Sequence, residues 1–134
     1  MGDLTYLVAV DGSEYGNRAA ERAINLAKKT GAEVCFITVI TMNAPTLDGE
    51  AVEKIEQDNV LHPLVKRYEK SGVTIKTELH WGDPAKTIHN CAKKNHANMV
   101  FVGRRGRSRL ADLVLGSVAN ALAHSVGVPI VLVP

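Results

Sequence analysis

The residues of this chain best suited to hold an anion are glycines near its C-terminus. Gly103 and Gly106 enclose two arginines, and Gly116 and Ser117 follow after a spacer of nine residues. Because glycine lacks a Cβ atom, its backbone can take positive φ angles and approach a ligand closely. The unpaired N–H groups of a helix's first turn, together with the helix dipole, attract anions. An apolar run precedes the glycines and a helical pattern follows them, so the spacing predicts a phosphate-binding loop between a strand and a helix.

Positive charge is concentrated in the same loop. Arg104, Arg105, Arg107 and Arg109 lie there, whereas the whole chain has a formal net charge of only +2. A net charge this small does not indicate a nucleic-acid or anionic-membrane partner. The arginine cluster fits two interpretations, an anion-binding loop and a solvated basic loop.

An acidic residue, Asp11, follows the first predicted strand and precedes Gly12 and Ser13. Its carboxylate could cap the helix that begins at Ser13, or it could accept hydrogen bonds from a ligand. For Asp11 taken alone both roles stay open. If the fold brings it to the distant glycines, ligand contact becomes the favoured role.

Strand and helix patterns alternate along the chain. Its 134 residues, 46% of them hydrophobic and 22% charged, suit one folded domain spanning 1–134. Such alternation predicts an α/β fold, a doubly wound parallel sheet of five strands with helices on both faces. We predict the strand order 3-2-1-4-5, in which strands 1 and 4 are neighbours. Asp11 at the end of strand 1 then lies opposite Gly103 at the end of strand 4, in the crevice where the direction of winding reverses (the switch point) and where ligands of such sheets bind. The predicted strands are 5–10, 34–40, 73–80, 100–102 and 129–133, and the predicted helices begin near Ser13, Val52, Pro84 and Ser117.

Local signals also predict how individual helices and strands end. Gly31 should stop the first helix, Pro63 should kink or interrupt the second, and Asp83 should cap the third. The polar residues within 73–80 indicate an edge strand. The apolar strand 129–133 should form the other edge, and an exposed apolar edge favours pairing with a second copy of the chain as a homodimer.

Cysteine and histidine spacing indicates neither a disulfide framework nor a metal site. Cys35 and Cys91 lie in separate apolar segments, which is typical of reduced core thiols. The five histidines are scattered, so we expect ordinary surface or partly buried side chains. Without a secretory signal pattern or a long apolar span, we expect a cytoplasmic protein with no membrane partner.

Several motifs together resemble those of the universal stress protein family. They are the glycine spacing described above, the run Val8-Ala9-Val10-Asp11-Gly12-Ser13, the triplet Gly82-Asp83-Pro84 and the final strand Val128 to Val133. The resemblance covers essentially the whole chain and points to the family's nucleotide-binding branch, which carries this glycine spacing. It implies an adenine nucleotide as cofactor, ATP or ADP or AMP, with Mg²⁺, and the same edge-to-edge homodimer.

The resemblance also implies roles for individual residues. Asp11 would bind the ribose hydroxyls or the adenine edge, and it is the candidate to reach a nucleotide-bound Mg²⁺. Ala9 and Val39 would line the base, and Gly106, Gly116 and their neighbours would hold the phosphates through backbone N–H groups. The complete implied set is Ala9, Val10, Asp11, Val39, Val102, Gly103, Arg105, Gly106, Arg107, Gly116, Ser117 and Val118.

Two other functional classes stay open at this point. Gly103 to Gly106 also satisfies the G-x-x-G loop with which KH domains clamp RNA, although that loop joins two helices whereas a strand leads in here. A phosphotransfer or ATP-hydrolysing enzyme is the second alternative, but the chain lacks the P-loop, dinucleotide and nucleophile-elbow motifs. We therefore expect a nucleotide-dependent sensor or adaptor of the stress response that is at most a slow ATPase.

Overall fold

Five parallel strands form the centre of the structure, a computed structural model that describes residues 4–41, 48–106, 115–125 and 127–134. The strands are β1 (Thr5–Ala9), β2 (Glu33–Ile40), β3 (Ile75–Trp81), β4 (Met99–Gly103) and β5 (Ile130–Val133). They pair in the order β3-β2-β1-β4-β5, and every pairing is parallel. The predicted fold class and strand order are confirmed, as is the edge position of β3.

Helices connect the strands. They are α1 (Glu14–Thr30), α2 (Gly49–Glu56), α3 (His62–Tyr68), α4 (Pro84–Lys94) and α5 (Ser117–Ala123), with a π-helical segment (Gln57–Leu61) between α2 and α3. Observed boundaries differ from the predicted ones by one to two residues at most strand ends, and α2 begins at Gly49 instead of Val52. None of the helices in the described part of the chain is both long and apolar enough to cross a membrane.

The first helix begins and ends where its sequence signals predict. The Ser13 side chain accepts a hydrogen bond from the Gly16 N–H at 3.1 Å, which satisfies one of the unpaired donors of the first turn. Gly31 ends the helix in the left-handed conformation, with φ of 78°. This conformation costs glycine little because it has no Cβ atom.

The second helical region passes through its proline without breaking. Pro63 lies at the start of α3, and the five residues before α3 adopt the wider π-helical turn. Proline cannot donate the usual intrahelical hydrogen bond, and a π-turn is one way to accommodate a local change in that pattern. The predicted interruption is therefore a change of helix type, and Val60, Leu61 and Leu64 of this region are buried in the core.

Two hydrophobic layers cover the two faces of the sheet. One face packs against α1, the π-helical segment and α3, and it includes Tyr6, Val8 and Phe36. The other face packs against α4 and α5, and it includes Leu7 and Ile37. Successive strand residues point to opposite faces, so each strand supplies both layers. Residues of the second layer, among them Ile37 and Ile88, also line the candidate site at the carboxyl ends of the strands.

Candidate functional site

A cavity of about 380 Å³ opens at the carboxyl ends of β1, β2 and β4. This is the switch point of the sheet, because the chain leaves β1 toward β2 on one side while β4 lies on the other. Ligands of open α/β sheets bind in this crevice. The volume falls in the range of small-molecule sites.

The sequence candidates converge on this cavity. All of the predicted site residues that lie in the described ranges line it, and Arg107 lies outside those ranges. The lining candidates are Ala9, Val10, Asp11, Val39, Val102, Gly103, Arg105, Gly106, Gly116, Ser117 and Val118.

Asp11 contacts both the start of α1 and the glycine loop. Its Oδ1 accepts a hydrogen bond from the Ser13 N–H at 2.9 Å, while Ser13 itself is the N-cap of α1. A Cβ atom placed on Gly106 would lie 2.6 Å from Asp11 Oδ2, closer than side-chain atoms pack. One carboxylate oxygen of Asp11 therefore stabilises the turn after β1, and the other lies next to Gly106 of the glycine loop.

Gly103 is required by packing where β4 meets α1. A Cβ atom on Gly103 would lie 2.7 Å from the Tyr15 Cβ and 2.9 Å from the Arg105 carbonyl oxygen. Both neighbours belong to, or are attached directly to, the backbone, so neither can rotate away. This glycine allows α1 to approach the carboxyl end of β4.

Backbone hydrogen bonds close the two halves of the glycine loop. The Gly116 N–H donates to the Arg104 carbonyl oxygen at 2.8 Å, and the Arg104 N–H donates to the Val133 carbonyl oxygen at 2.7 Å. The resemblance assigned the Gly116 N–H to phosphate, whereas here it holds the loop together. Helix α5 begins at Ser117, so the first-turn N–H groups of Ser117, Val118 and Ala119 have no acceptor within the helix, and all three residues line the cavity.

The apolar wall of the cavity includes Val39, which belongs to the predicted set, together with residues that the sequence analysis did not assign to the site. Ile37 and Val39 point to the same face of β2, and Pro84 and Ile88 lie one turn apart on α4. Their alternating and helical spacing could have revealed them as wall residues once the strand order was known. The complete missed set is Gly16, Ile37, Ile40, Thr41, Glu56, Pro84, Ile88 and Ala119.

Glu56 reaches the cavity from α2, which Trp81 helps to position. The Trp81 indole N–H donates to Glu53 Oε2 at 2.7 Å and so ties α2 to the end of β3. Trp81 itself does not line the cavity. The arrangement combines an apolar wall with a polar end, where the Asp11 carboxylate lies next to the arginine-bearing glycine loop.

A model of the universal stress protein family matches residues 5–134 of this chain. The chain belongs to the universal stress protein family. A universal stress protein of Methanocaldococcus jannaschii is 33% identical to it over 135 residues, which cover 95% of this chain and 79% of the relative. The family predicted from the combined motifs and the fold predicted from the alternation of strands and helices are both confirmed.

Solved universal stress proteins have the same fold. One in complex with cAMP is 25% identical, with a TM-score of 0.77 over 98% of this chain and 97% of its own. One from Archaeoglobus fulgidus in complex with dAMP is 21% identical, with a TM-score of 0.78 and complete coverage of both chains, 100% each.

Proposed function

We propose that this universal stress protein binds an adenine nucleotide and acts as a nucleotide-dependent sensor or adaptor in the stress response. The observation that carries the proposal is the cavity at the switch point, in which an apolar wall, the Asp11 carboxylate and the glycine loop meet. These three surfaces match the base, the ribose and the phosphates of a nucleotide, in that order.

The apolar wall is suited to a purine base. Ile37, Val39 and Ile88 offer flat aliphatic surface at one end of the cavity, next to the backbone of Ala9. A base inserted there would bury its faces against these side chains while its edge meets backbone N–H and C=O groups. Largely apolar walls with a few polar groups are typical of cofactor sites.

The polar end of the cavity is suited to ribose and phosphates. The Asp11 carboxylate can accept hydrogen bonds from two ribose hydroxyls, as acidic residues do in other nucleotide-binding α/β folds. Gly106 brings the loop backbone close to this carboxylate, and Arg105 adds a positive charge. If the ligand is a di- or triphosphate, carboxylate and phosphate oxygens are the ligands that Mg²⁺ prefers, so Asp11 is the candidate to contact a nucleotide-bound Mg²⁺.

The comparisons support an adenine nucleotide as the ligand class. Two universal stress proteins with this fold were solved with cAMP and with dAMP, both of which are adenine nucleotides. ATP with Mg²⁺ is our proposed ligand for this chain because the arginines and glycines in the sequence of this loop suit the negative charge of several phosphate groups.

Thermal unfolding with and without nucleotide tests the proposal. Ligand at about 100 times its dissociation constant stabilises the native state by about 2.7 kcal/mol. For a domain of this size this corresponds to roughly 3–6 °C per kcal/mol, so ATP, ADP or AMP should raise the Tm clearly. The protein is first denatured and its released small molecules are identified by mass spectrometry, to exclude retained ligand. No shift with any adenine nucleotide, or a shift with single-stranded RNA alone, would contradict the proposal.

A matched pair of glycine variants links the shift to the loop. Gly106→Ala places a methyl group against the Asp11 carboxylate and into the cavity, so calorimetry should show ATP affinity reduced by at least about tenfold, or 1.4 kcal/mol. Gly49→Ala is the control, because within the described ranges its Cβ atom would approach Trp81 at an ordinary 3.9 Å. Equal ATP affinity in both variants would remove the loop from the site.

Binding without efficient turnover is the second part of the proposal. Phosphoryl transfer requires a group that positions the attacking nucleophile in addition to charge stabilisation. We expect phosphate release from ATP far below the roughly 1 s⁻¹ at which ordinary enzymes begin. Turnover above that rate, abolished by Asp11→Asn, would instead establish an ATPase.

We also propose a homodimer formed through β5. This strand lies at the edge of the sheet, has no neighbour on its outer side in the described part of the chain, and leaves Leu132 39% exposed. An apolar edge strand presents unpaired backbone groups that a second copy can cover.

The two free thiols fit a reducing compartment, which supports a cytoplasmic location.

Light scattering coupled to size-exclusion chromatography tests the dimer. The unmodified protein should elute with the mass of a dimer at micromolar concentration, and Leu132→Lys should shift it to a monomer. Leu4→Lys is the control, since Leu4 is similarly exposed at 36% but lies outside β5. A monomeric unmodified protein would refute the proposal.

A further inference from the structure

Three side chains with metal-binding atoms meet on the face of β3 that looks toward α4. Glu78 and His80 point to this face from β3, and Cys91 approaches from α4. One ligand atom of each residue lies within 4.8 Å of the other two. None of the three lines the cavity described above. We call them the Glu78–His80–Cys91 cluster.

Hydrogen bonds already organise this cluster. His80 Nε2 lies 2.7 Å from Glu78 Oε1, and the Asn95 amide donates to Glu78 Oε2 at 3.0 Å. The same amide nitrogen donates to the Cys91 carbonyl oxygen at 2.9 Å. Asn95 therefore connects the carboxylate to the helix that carries the thiol. Outer hydrogen bonds of this kind orient the ligands in protein metal sites.

We propose that Glu78, His80 and Cys91 form a binding site for a divalent transition-metal ion of the Zn²⁺ class, separate from the nucleotide cavity. A carboxylate oxygen, an imidazole nitrogen and a thiolate sulfur are the three ligand types that Zn²⁺ takes from proteins. One carboxylate and one thiolate together balance the two positive charges of the ion. A water molecule would complete a tetrahedral site.

The spacing of the three groups is compatible with such an ion after small side-chain rotations. Ligand atoms around a tetrahedral Zn²⁺ lie roughly 3.3–3.8 Å apart, given bond lengths of about 2.0–2.3 Å. The 2.7 Å contact between His80 Nε2 and Glu78 Oε1 must widen by less than about 1 Å, and since all three ligand atoms lie within 4.8 Å of one another, no separation needs to shorten by more than about 1.5 Å. Both changes can come from side-chain torsions on a fixed strand and helix.

The cluster is open to solvent on the side of His80 and Glu78 and buried on the side of Cys91. Cys91 is buried at 5% exposure, whereas the side chains of His80 and Glu78 are 34% and 26% exposed. The ion can reach the outer two ligands from solvent and then bind the buried sulfur. Cys35 lies below Glu78, and its thiol contacts Glu78 Oε2 at 3.8 Å. We place Cys35 as a neighbour that supports Glu78 and not as a ligand.

Cobalt titration of the whole protein tests the site. The protein is treated with a chelator, and Co²⁺ is added while the near-ultraviolet spectrum is recorded, because a thiolate-to-cobalt charge-transfer band reports a cobalt–sulfur bond. We expect this band to saturate at one Co²⁺ per chain and to disappear when Zn²⁺ replaces Co²⁺. Absence of the band at saturating Co²⁺ would overturn the proposal.

The two cysteines of the chain provide a matched pair of variants. Cys91→Ser removes the proposed sulfur ligand and should abolish the charge-transfer band, whereas Cys35→Ser keeps a hydrogen-bond donor beside Glu78 and should retain it. Retention of the band in Cys91→Ser, or its loss in Cys35→Ser, would overturn the assignment.

Two further variants keep the test decisive if Cys91→Ser folds poorly. His80→Ala removes a half-exposed ligand from an edge strand and should weaken Zn²⁺ binding, measured by competition with a chromophoric chelator, by at least about tenfold. Asn95→Ala should weaken it by about 10- to 100-fold through loss of the outer hydrogen bonds, with the cobalt–sulfur band still present. Zn²⁺ affinity unchanged in His80→Ala would refute the site.

Discussion

The cavity at the switch point and the Glu78–His80–Cys91 cluster are neighbours built in different ways. The cavity depends on backbone positions, since Gly103 and Gly106 leave room where Cβ atoms would collide with α1 and with Asp11. The cluster depends on side-chain atoms that β3 and α4 bring together. Val39 of the cavity pairs in register with His80 of the cluster, so the two regions share the frame of β2, β3 and α4.

This difference explains why one region is visible in the sequence and the other is not. A loop that needs a close backbone approach needs glycine at particular positions, and glycine spacing is a local pattern. A cluster of side chains needs only side chains with suitable atoms, and these can come from segments that are far apart in the sequence. Three predictions test this contrast, in order of decreasing expected effect.

The largest effect should come from pH in the cluster region. Burial, reinforced by the Glu78 carboxylate and a hydrogen bond to it, raises the pKa of Cys35 from 9.0 to about 12. The thiol ionises in the unfolded state above about pH 9 but stays neutral in the native state until about pH 12. The free energy of unfolding therefore has its full value below pH 9 and falls as the pH rises toward 12. The loss should amount to roughly 1.4 kcal/mol per pH unit, or about 4 kcal/mol across that window.

Denaturant unfolding of chelator-treated protein from pH 8 to 12 measures this loss. Cys35→Ser cannot ionise in this range and is the control, so its free energy of unfolding should fall less steeply than that of the unmodified protein. Parallel curves for the two proteins would show that Cys35 does not stabilise the fold in its neutral form.

The second effect should separate two glycines of the same loop. Gly103→Ala places a methyl group against the Tyr15 backbone and the Arg105 carbonyl, which cannot move independently. Overpacking of this kind typically costs about 1–3 kcal/mol. Among the described residues, the methyl group of Gly106→Ala meets the end of the Asp11 side chain, which can rotate, so the Tm of this variant should stay near that of the unmodified protein.

Calorimetric scans of the two variants without nucleotide measure the difference. At roughly 3–6 °C per kcal/mol, Gly103→Ala should unfold several degrees below Gly106→Ala. Equal melting temperatures would mean that α1 and β4 can separate at little cost, and that the close approach at Gly103 is not a structural requirement.

The smallest effect concerns the two roles of Asp11. Asp11→Ala removes the acceptor of the Ser13 N–H, which should lower the free energy of unfolding by about 0.5–1.5 kcal/mol. Asp11→Asn keeps a carbonyl oxygen for this hydrogen bond but loses the charge and one acceptor. It should therefore remain close to the unmodified protein in stability and still bind adenosine and ATP more weakly.

Isothermal titration with adenosine and with ATP, alongside unfolding curves, separates the two roles. Loss of affinity for both ligands in both variants is the expected result. Unchanged affinities, with lower stability in Asp11→Ala alone, would assign Asp11 to the turn after β1 and remove it from the binding site.

Much of the fold followed from local patterns. Ser13 and Gly31 mark the ends of α1, Asp83 caps α4, and the alternation of strands with helices predicted the parallel sheet and its order. Prediction was less complete at Pro63, because a proline within a helix can be accommodated by a break, a kink or a π-turn. The choice among them depends on which residues the surrounding core must bury, here Val60, Leu61 and Leu64.

The site divides in the same way. The predicted residues Asp11, Gly106 and Gly116 do line the cavity. Sequence reasoning did not assign Ile37 or Ile88 to it, because aliphatic residues at such positions occur in many strands and helices. The resemblance implies a phosphate contact for the Gly116 N–H, and the structure shows this N–H donating to the Arg104 carbonyl oxygen. Histidine spacing predicted no metal site. Spacing along the chain does not report which residues of β3 and α4 come close together in the folded structure.

The sequence by itself determined the family, the order of the strands and the glycine loop, since each depends on residue types at short and regular spacing. Only the tertiary structure decided which apolar side chains wall the cavity, that Asp11 reaches Gly106, and that Glu78, His80 and Cys91 meet. These are contacts between separate segments, and their distances are set by how the helices pack on the sheet.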